Sequence, residues 1–173
     1  MQRIVPVAVL LVAAIATFAA PAPAVATNAA AAGVEVVADL DGVPISVAQI
    51  PSYYCHDGEF PQIHCFATAR DLEQARVATA DAGLLSVNAV TYVIVYAQTG
   101  YSGSYLAISQ DYATLALVGW NDRIRSFYAA NSELGRFWTD WFAGGSRLDF
   151  CCNAAVPSLS ATFDQQISSV YRR

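Results

Sequence analysis

Apolar side chains follow one another without interruption from Tyr92 to Tyr96, with Tyr92, Ile94 and Tyr96 alternating with Val93 and Val95. An extended segment of this kind is apolar on both faces, which suits a strand covered on both sides, as in a sandwich. From Ser86 to the C-terminus, Gly, Ser, Asn and Asp punctuate short runs of strand length. Upstream the pattern is different. VEVVADLDGVPISV, residues 34–47, reads as two short extended runs around Asp41-Gly42, a common hairpin turn. Pro44 places the return run at a sheet edge, because proline has no N–H to give to a neighbour. Gln49 to Pro61 is turn-rich and holds the first cysteine. Phe66 to Ala82 is predicted to be helical, with Leu72, Ala75, Ala78 and Ala82 at helical spacing, although Val77 falls off that stripe. Thr68 is its expected N-cap, with Asp71 three residues on, and Gly83 its expected stop.

The strand-rich part repeats itself. Its first copy opens YVIVYAQTGYSGSYLAIS and closes GWNDRIRSF; its second opens GRFWTDWFAGGSRLDF and closes TFDQQISSVY. Tyr96 matches Trp138, and Gly103-Ser104 matches Gly145-Ser146, at an offset of 42 residues. Asn121 matches Asp164 at 43, so the second copy carries one inserted residue. Two copies at this period read as one closed domain rather than a repeat array.

Composition adds a compartment. Ile4 to Ala20 is almost wholly apolar behind Arg3, prolines interrupt at 21 and 23, and Ala24-Val25-Ala26 is a small-x-small cleavage site. This is the pattern of a secretory signal over residues 1–26. An alanine-rich start follows from Thr27. The expected organisation is an N-terminal segment over 27–85, with hairpin, cysteine loop and helix, and a paired-motif domain over 86–173. No later stretch is long and apolar enough to span a bilayer. Without Arg3, the nine basic residues become eight against fourteen acidic ones, a net charge of about −6. The chain has no lysine and no basic patch to neutralise phosphates, which argues against nucleic acid as a partner. An acidic exported protein is compatible with cation binding.

Four cysteines, at 55, 65, 151 and 152, suggest two disulfides in an exported chain. Three connectivities are open. Cross-links between the N-terminal segment and the second repeat would close the longest loops and constrain the unfolded chain most, which favours them. Cys55-His56 and His64-Cys65 also supply the right ligand types for tetrahedral zinc, but without the usual spacing. A free cysteine nucleophile would need a neighbouring imidazole in a cleft, and no serine elbow, phosphate loop or metalloprotease helix is present. Trp120, Trp138 and Trp141 are candidates for a face that binds sugar or protein, against the commoner role of core packing. Arg172-Arg173 reads as a solvated tail.

Tyr96-Ala97-Gln98-Thr99-Gly100-Tyr101-Ser102-Gly103, followed about twenty residues later by Asn121-Asp122-Arg123-Ile124-Arg125-Ser126, resembles the βγ-crystallin Greek key motif. A glycine in a conformation closed to other residues lets a hairpin fold over itself. Two aromatics five apart can then stack on the fold. The resemblance covers Tyr92 to the C-terminus and implies a mainly β, βγ-crystallin-like Greek key β-sandwich beside an N-terminal α+β segment carrying one helix. It also implies that Ser126 and Ser169 close the folded hairpins. The second copy departs from the pattern, with Ala143 where the second aromatic belongs; Phe142, one residue earlier, is expected to take over that packing.

Microbial members of this family often bind two calcium ions between paired turns. The resemblance implies crossed sites, in which one turn gives a hydroxyl and a carbonyl and the other gives a carboxylate. Asp122, Ser168, the Gln166 carbonyl and the Thr139 carbonyl would form one such site. The other inherits Arg125 and Gln165, and a guanidinium has only donors and repels a cation. The expectation is one weak calcium site, in the range of about 10⁻⁴ to 10⁻³ M known for extracellular modules. The implied protein is secreted, disulfide-bonded and without enzymatic activity, with calcium as its partner. The alternative is a secreted protease inhibitor or antimicrobial toxin acting on an extracellular protein partner.

Overall fold

The computed structural model describes residues 34–81, 93–130 and 132–173. The signal over 1–26, the alanine-rich start, Gly83 as helix stop and the strand onset over 86–92 lie outside these residues. The expected mainly β architecture with one helix is present.

In the N-terminal segment, β1 (Val37–Leu40) and β2 (Val43–Ile45) form the hairpin expected at Asp41-Gly42. Both turn residues have positive φ, 51° and 81°, as a two-residue hairpin turn requires. β2 is the last strand of its sheet, where Pro44 costs no ladder bond. The stretch expected to be turns contains more order than that. A 3₁₀ turn over Val47–Ser52 is capped by Ser46 with Gln49, and β3 (Tyr54–Glu59) and β4 (Gln62–Phe66) follow as a second hairpin. Helix α1 (Ala69–Asp81) starts later than the predicted Phe66, because Phe66 pairs with Tyr54 in the hairpin. Thr68 is the expected cap; its Oγ1 accepts the Asp71 N–H at 3.2 Å. Leu72 anchors the helix in the core. No helix among the described residues is long and apolar enough to cross a membrane.

The paired motifs contain β5 (Val93–Gln98), β6 (Ser102–Ile108) and β7 (Ser126–Ala129), then β8 (Gly135–Trp138), β9 (Arg147–Phe150), β10 (Ala155–Val156) and β11 (Ser169–Arg172). The motifs exchange strands. β10 of the second pairs with β7 of the first, and Tyr112 of the first bridges Val170 in β11 of the second. Neither motif can therefore complete its sheet alone. Their apolar faces meet in one core, where the Phe127 ring from one sheet lies 5.1 Å from Phe137 of the other, edge to face.

The larger sheet does not stop at the motif boundary. Its order is β10-β7-β5-β6-β3-β4-β1-β2, so β3 lies parallel to β6 and the N-terminal segment extends the Greek key sheet. Asp57 reinforces this junction. Its side chain is fully buried, and its carboxylate accepts the Ser109 N–H and Oγ–H at 2.6 Å each and the Tyr112 Oη–H at 2.8 Å.

The cysteines pair locally rather than across the molecule. Cys55 bonds Cys65, its register partner directly across the β3–β4 hairpin, and Cys151 bonds Cys152 in the turn after β9. The cross-links expected between the N-terminal segment and the second repeat do not form. Hairpin register had already placed Cys55 and Cys65 face to face, so neither is left for Cys151 or Cys152. Oxidation also removes the thiolates that a zinc site would need; His56 and His64 face each other with rings 5.4 Å apart. The Arg172 side chain is not a solvated tail. It lies in β11 and its guanidinium forks onto the buried Glu133 at 2.7 and 2.9 Å.

Candidate metal centre between the two turns

Each folded hairpin is closed by its serine. Ser126 Oγ donates to the Gln98 carbonyl at 2.6 Å and accepts the Tyr101 N–H at 3.2 Å. Ser169 Oγ donates to the Asp140 carbonyl at 2.7 Å and accepts the Ala143 N–H at 3.3 Å. Tyr101 and Ala143 share the left-handed conformation, with φ 57° and 61°. The glycine matters most at Gly145, where φ is 70° and a Cβ would collide with Thr139 Oγ1 and the Asp140 carboxylate. The aromatic layer differs between the copies. Tyr101 packs edge-on against Tyr96 at 5.8 Å. Phe142 does not replace it in the second copy; it is 60% exposed, and the Arg147 guanidinium lies over the Trp138 ring at 6.0 Å instead. Phe142 takes a left-handed backbone conformation of its own, φ 55°, and its ring lies in solvent.

The closing turns are held against each other by matching backbone bonds. Asp122 N–H donates to the Ile167 carbonyl and Gln165 N–H to the Ile124 carbonyl, both at 3.0 Å. Asp122 and Gln165 have φ of 56° and 55°, so the inserted residue leaves the turns equivalent. Their chemistry is not equivalent. In one crossed position, Ser168 Oγ donates to Asp122 Oδ1 at 3.0 Å, joining side chains from the two motifs. Ser168 N–H donates to the Trp138 carbonyl at 2.9 Å, which sets Thr139 beside this pair. Gln166 precedes the pair in the same turn. Among the described residues, the carbonyls of Thr139 and Gln166 accept no hydrogen bond. Asp122 is exposed, so its carboxylate keeps its hydration at little cost. This donor set is all oxygen, one anionic and three neutral, and fits a hard divalent cation with water in the remaining positions.

The other crossed position is filled by the chain itself. Arg125 reaches Asp164 rather than Gln165, with Nε to Oδ1 at 3.0 Å and Nη2 to Oδ2 at 3.1 Å. The fork satisfies both carboxylate oxygens and places a fixed positive charge between the turns. No group of three His, Cys, Asp or Glu among the described residues is arranged to hold a metal.

The candidate aromatics separate. Trp120 is fully buried, Trp138 is half-buried under Arg147, and Trp141 is 53% exposed. Trp141 Nε1–H donates to Asn121 Oδ1 at 2.9 Å, which ties the indole to the first residue of the Asp122 turn. The sequence carries no local signal for Asp57 or Glu133, whose burial depends on partners about 40 to 55 residues away. Burial holds the Asp57 carboxyl above its usual range, against the lowering pull of the Ser109 and Tyr112 donors.

No family model matches the sequence, and no curated protein matches it. Solved structures do. A βγ-crystallin from Ciona intestinalis is 19% identical, with 47% of this chain and 99% of that one covered and a TM-score of 0.43. An archaeal βγ-crystallin is 24% identical, with 49% and 99% covered and a TM-score of 0.43. A βγ-crystallin domain from Clostridium beijerinckii is 16% identical, with 47% and 95% covered and a TM-score of 0.42. These alignments cover about half of this chain and nearly all of each βγ-crystallin structure, the family that its two motifs resemble.

Proposed function

We propose that this is a secreted, non-enzymatic protein of βγ-crystallin type that binds one calcium ion weakly, with stability of the fold as the result. The observation that carries the reading is the crossed pair Asp122–Ser168, a carboxylate and a hydroxyl from different motifs at 3.0 Å. The Thr139 and Gln166 carbonyls are the further ligands. Arg125 on Asp164 supports a count of one, because it leaves the second position with a cation already in it. An ion held by both turns binds only the folded chain and shifts the folding equilibrium towards it. Export is supported by the apolar leader pattern and by two disulfides. A second reading, a secreted protease inhibitor or antimicrobial toxin, would act through a rigid exposed loop, and the Cys55–Cys65 disulfide does clasp the β3–β4 hairpin, whose tip is exposed at Gly58, Glu59 and Pro61.

The test is thermal unfolding in 10 mM calcium and in chelator. A Kd of about 10⁻⁴ to 10⁻³ M gives about 1.4 to 2.7 kcal/mol at that concentration, or a midpoint raised by about 3 to 10 °C. Asp122→Ala abolishes the rise, and Arg173→Ala, on an exposed side chain, keeps it. An equal midpoint in both solutions refutes the reading.

A further inference from the structure

We propose that the tip of the second folded hairpin, Trp141-Phe142 with Asp140, is a saccharide-binding site. Both aromatics are more than half exposed, on a short 3₁₀ turn over Trp141–Ala143. Packing does not account for them. At the offset of 42, their counterparts in the first copy are Thr99 and Gly100, and the fold closes equally well there. Gly100 has φ 70°, and Phe142 takes φ 55° at the matching position. A bulky residue in the left-handed region is strained where glycine is not, and such strain collects at functional positions. The second copy thus keeps a solvent-facing phenylalanine at a site that favours glycine.

The tip is also prepared for a ligand. Asn121 fixes the indole through Nε1, and the Phe142 N–H donates to the Ala113 carbonyl at 2.8 Å, so the aromatic turn is anchored at both residues. Asp140 stands at the N-cap position, yet its side chain makes no cap hydrogen bond, and it is exposed. A fixed ring face beside a carboxylate with spare acceptor capacity matches a pyranose, which offers a C–H face for the ring and hydroxyl donors for the acid. Other occupants fit less well. An anionic membrane surface is repelled by Asp140, Asp122 and a chain of net charge −5. A stable protein interface takes about 20–30 residues a side, far more than this tip. None of the three residues is a proposed calcium ligand, so the site stands or falls apart from the calcium reading.

The experiment is done in chelator. Retention on chitin, cellulose, xylan and peptidoglycan is measured first, followed by tryptophan-fluorescence titration with chitohexaose, cellohexaose and xylohexaose. The expected result is retention on at least one polymer and an affinity about tenfold weaker in Trp141→Ala. Phe142→Gly restores the first copy's residue; it weakens binding while the unfolding midpoint stays at wild type or rises, opposite signs that a packing role cannot give. The proposal is overturned if no polymer retains the protein, if both variants bind like wild type, or if Trp141→Ala instead abolishes binding to phosphatidylserine vesicles.

Discussion

Asp57→Ala tests whether the N-terminal segment and the paired motifs form one cooperative structure. Asp57 sits in β3 but its carboxylate is used entirely by residues after β6: Ser109 N–H and Oγ–H on Oδ1, and Tyr112 Oη–H on Oδ2. Its own backbone carbonyl adds a bond from Gln110 Nε2 at 3.2 Å. Alanine leaves three donors without their acceptor. Tyr112 is fully buried and cannot turn to water, and the Phe60 ring packs edge-on against it at 5.8 Å. Ser109 is half-buried and recovers part of its loss. At about 1–3 kcal/mol for each buried group left unsatisfied, the total is roughly 3–5 kcal/mol. For a chain of this size that lowers the midpoint by about 6–20 °C. Urea unfolding followed by far-ultraviolet circular dichroism measures the loss. Hydrogen exchange then locates it, with β3 and β4 amides expected to exchange faster in the variant than those of β8 and β9. A double-mutant cycle with Tyr112→Phe is expected to show coupling of about 0.5–3 kcal/mol. A loss below about 1 kcal/mol for Asp57→Ala would refute the view that this carboxylate joins the two halves.

Two further predictions follow from charge. Burial first, then the positive charges of His64 and Arg76, push His56 down to about 4, against weaker upward pulls from Glu59 and Asp39. The folded state therefore keeps His56 neutral while the unfolded chain protonates it near 6.5. The resulting stability is complete above pH 6.5 and is lost as the pH falls towards 4, by about 3 kcal/mol at most. Urea midpoints between pH 7 and 4 should show this slope, and His56→Gln should flatten it; an unchanged slope removes His56 as its origin. At the second crossed position, Arg125→Ser with Gln165→Asp replaces the internal guanidinium with a hydroxyl and a carboxylate. Calorimetric calcium titration should then give two ions instead of one. Arg125→Ser alone should lower the midpoint in chelator, because Asp164 loses its partner.

What the sequence made legible was local. The folded hairpin needs a left-handed glycine and a serine that bonds the hairpin's own backbone, so Gly103 with Ser126 and Gly145 with Ser169 report it directly. The Asp41-Gly42 turn and the Thr68 cap are legible for the same reason, since each satisfies its backbone groups within a few residues. What could not be read depends on distant partners. β3 joins β6 through residues about fifty positions apart, and the buried Asp57 breaks the apolar alternation that would have marked β3 as a core strand. Cysteine count fixed the number of bonds but not their pairing, which followed from the β3–β4 register. Arg172 looked like a tail because Glu133, its buried partner, is 39 positions away. Phe142 shows a subtler limit. Its residue type promised packing against Trp138, but backbone direction decides where a side chain goes, and the equivalence with Gly100 sends it into solvent. The copies share one backbone to within a few degrees at Asp122 and Gln165, and still place a carboxylate beside a hydroxyl in one crossed position and a guanidinium in the other. Repetition therefore identifies the scaffold, while function has to be sought where the second copy stops repeating the first. Those departures are Arg125 against Ser168, Gln165 against Asp122, and Phe142 against Gly100.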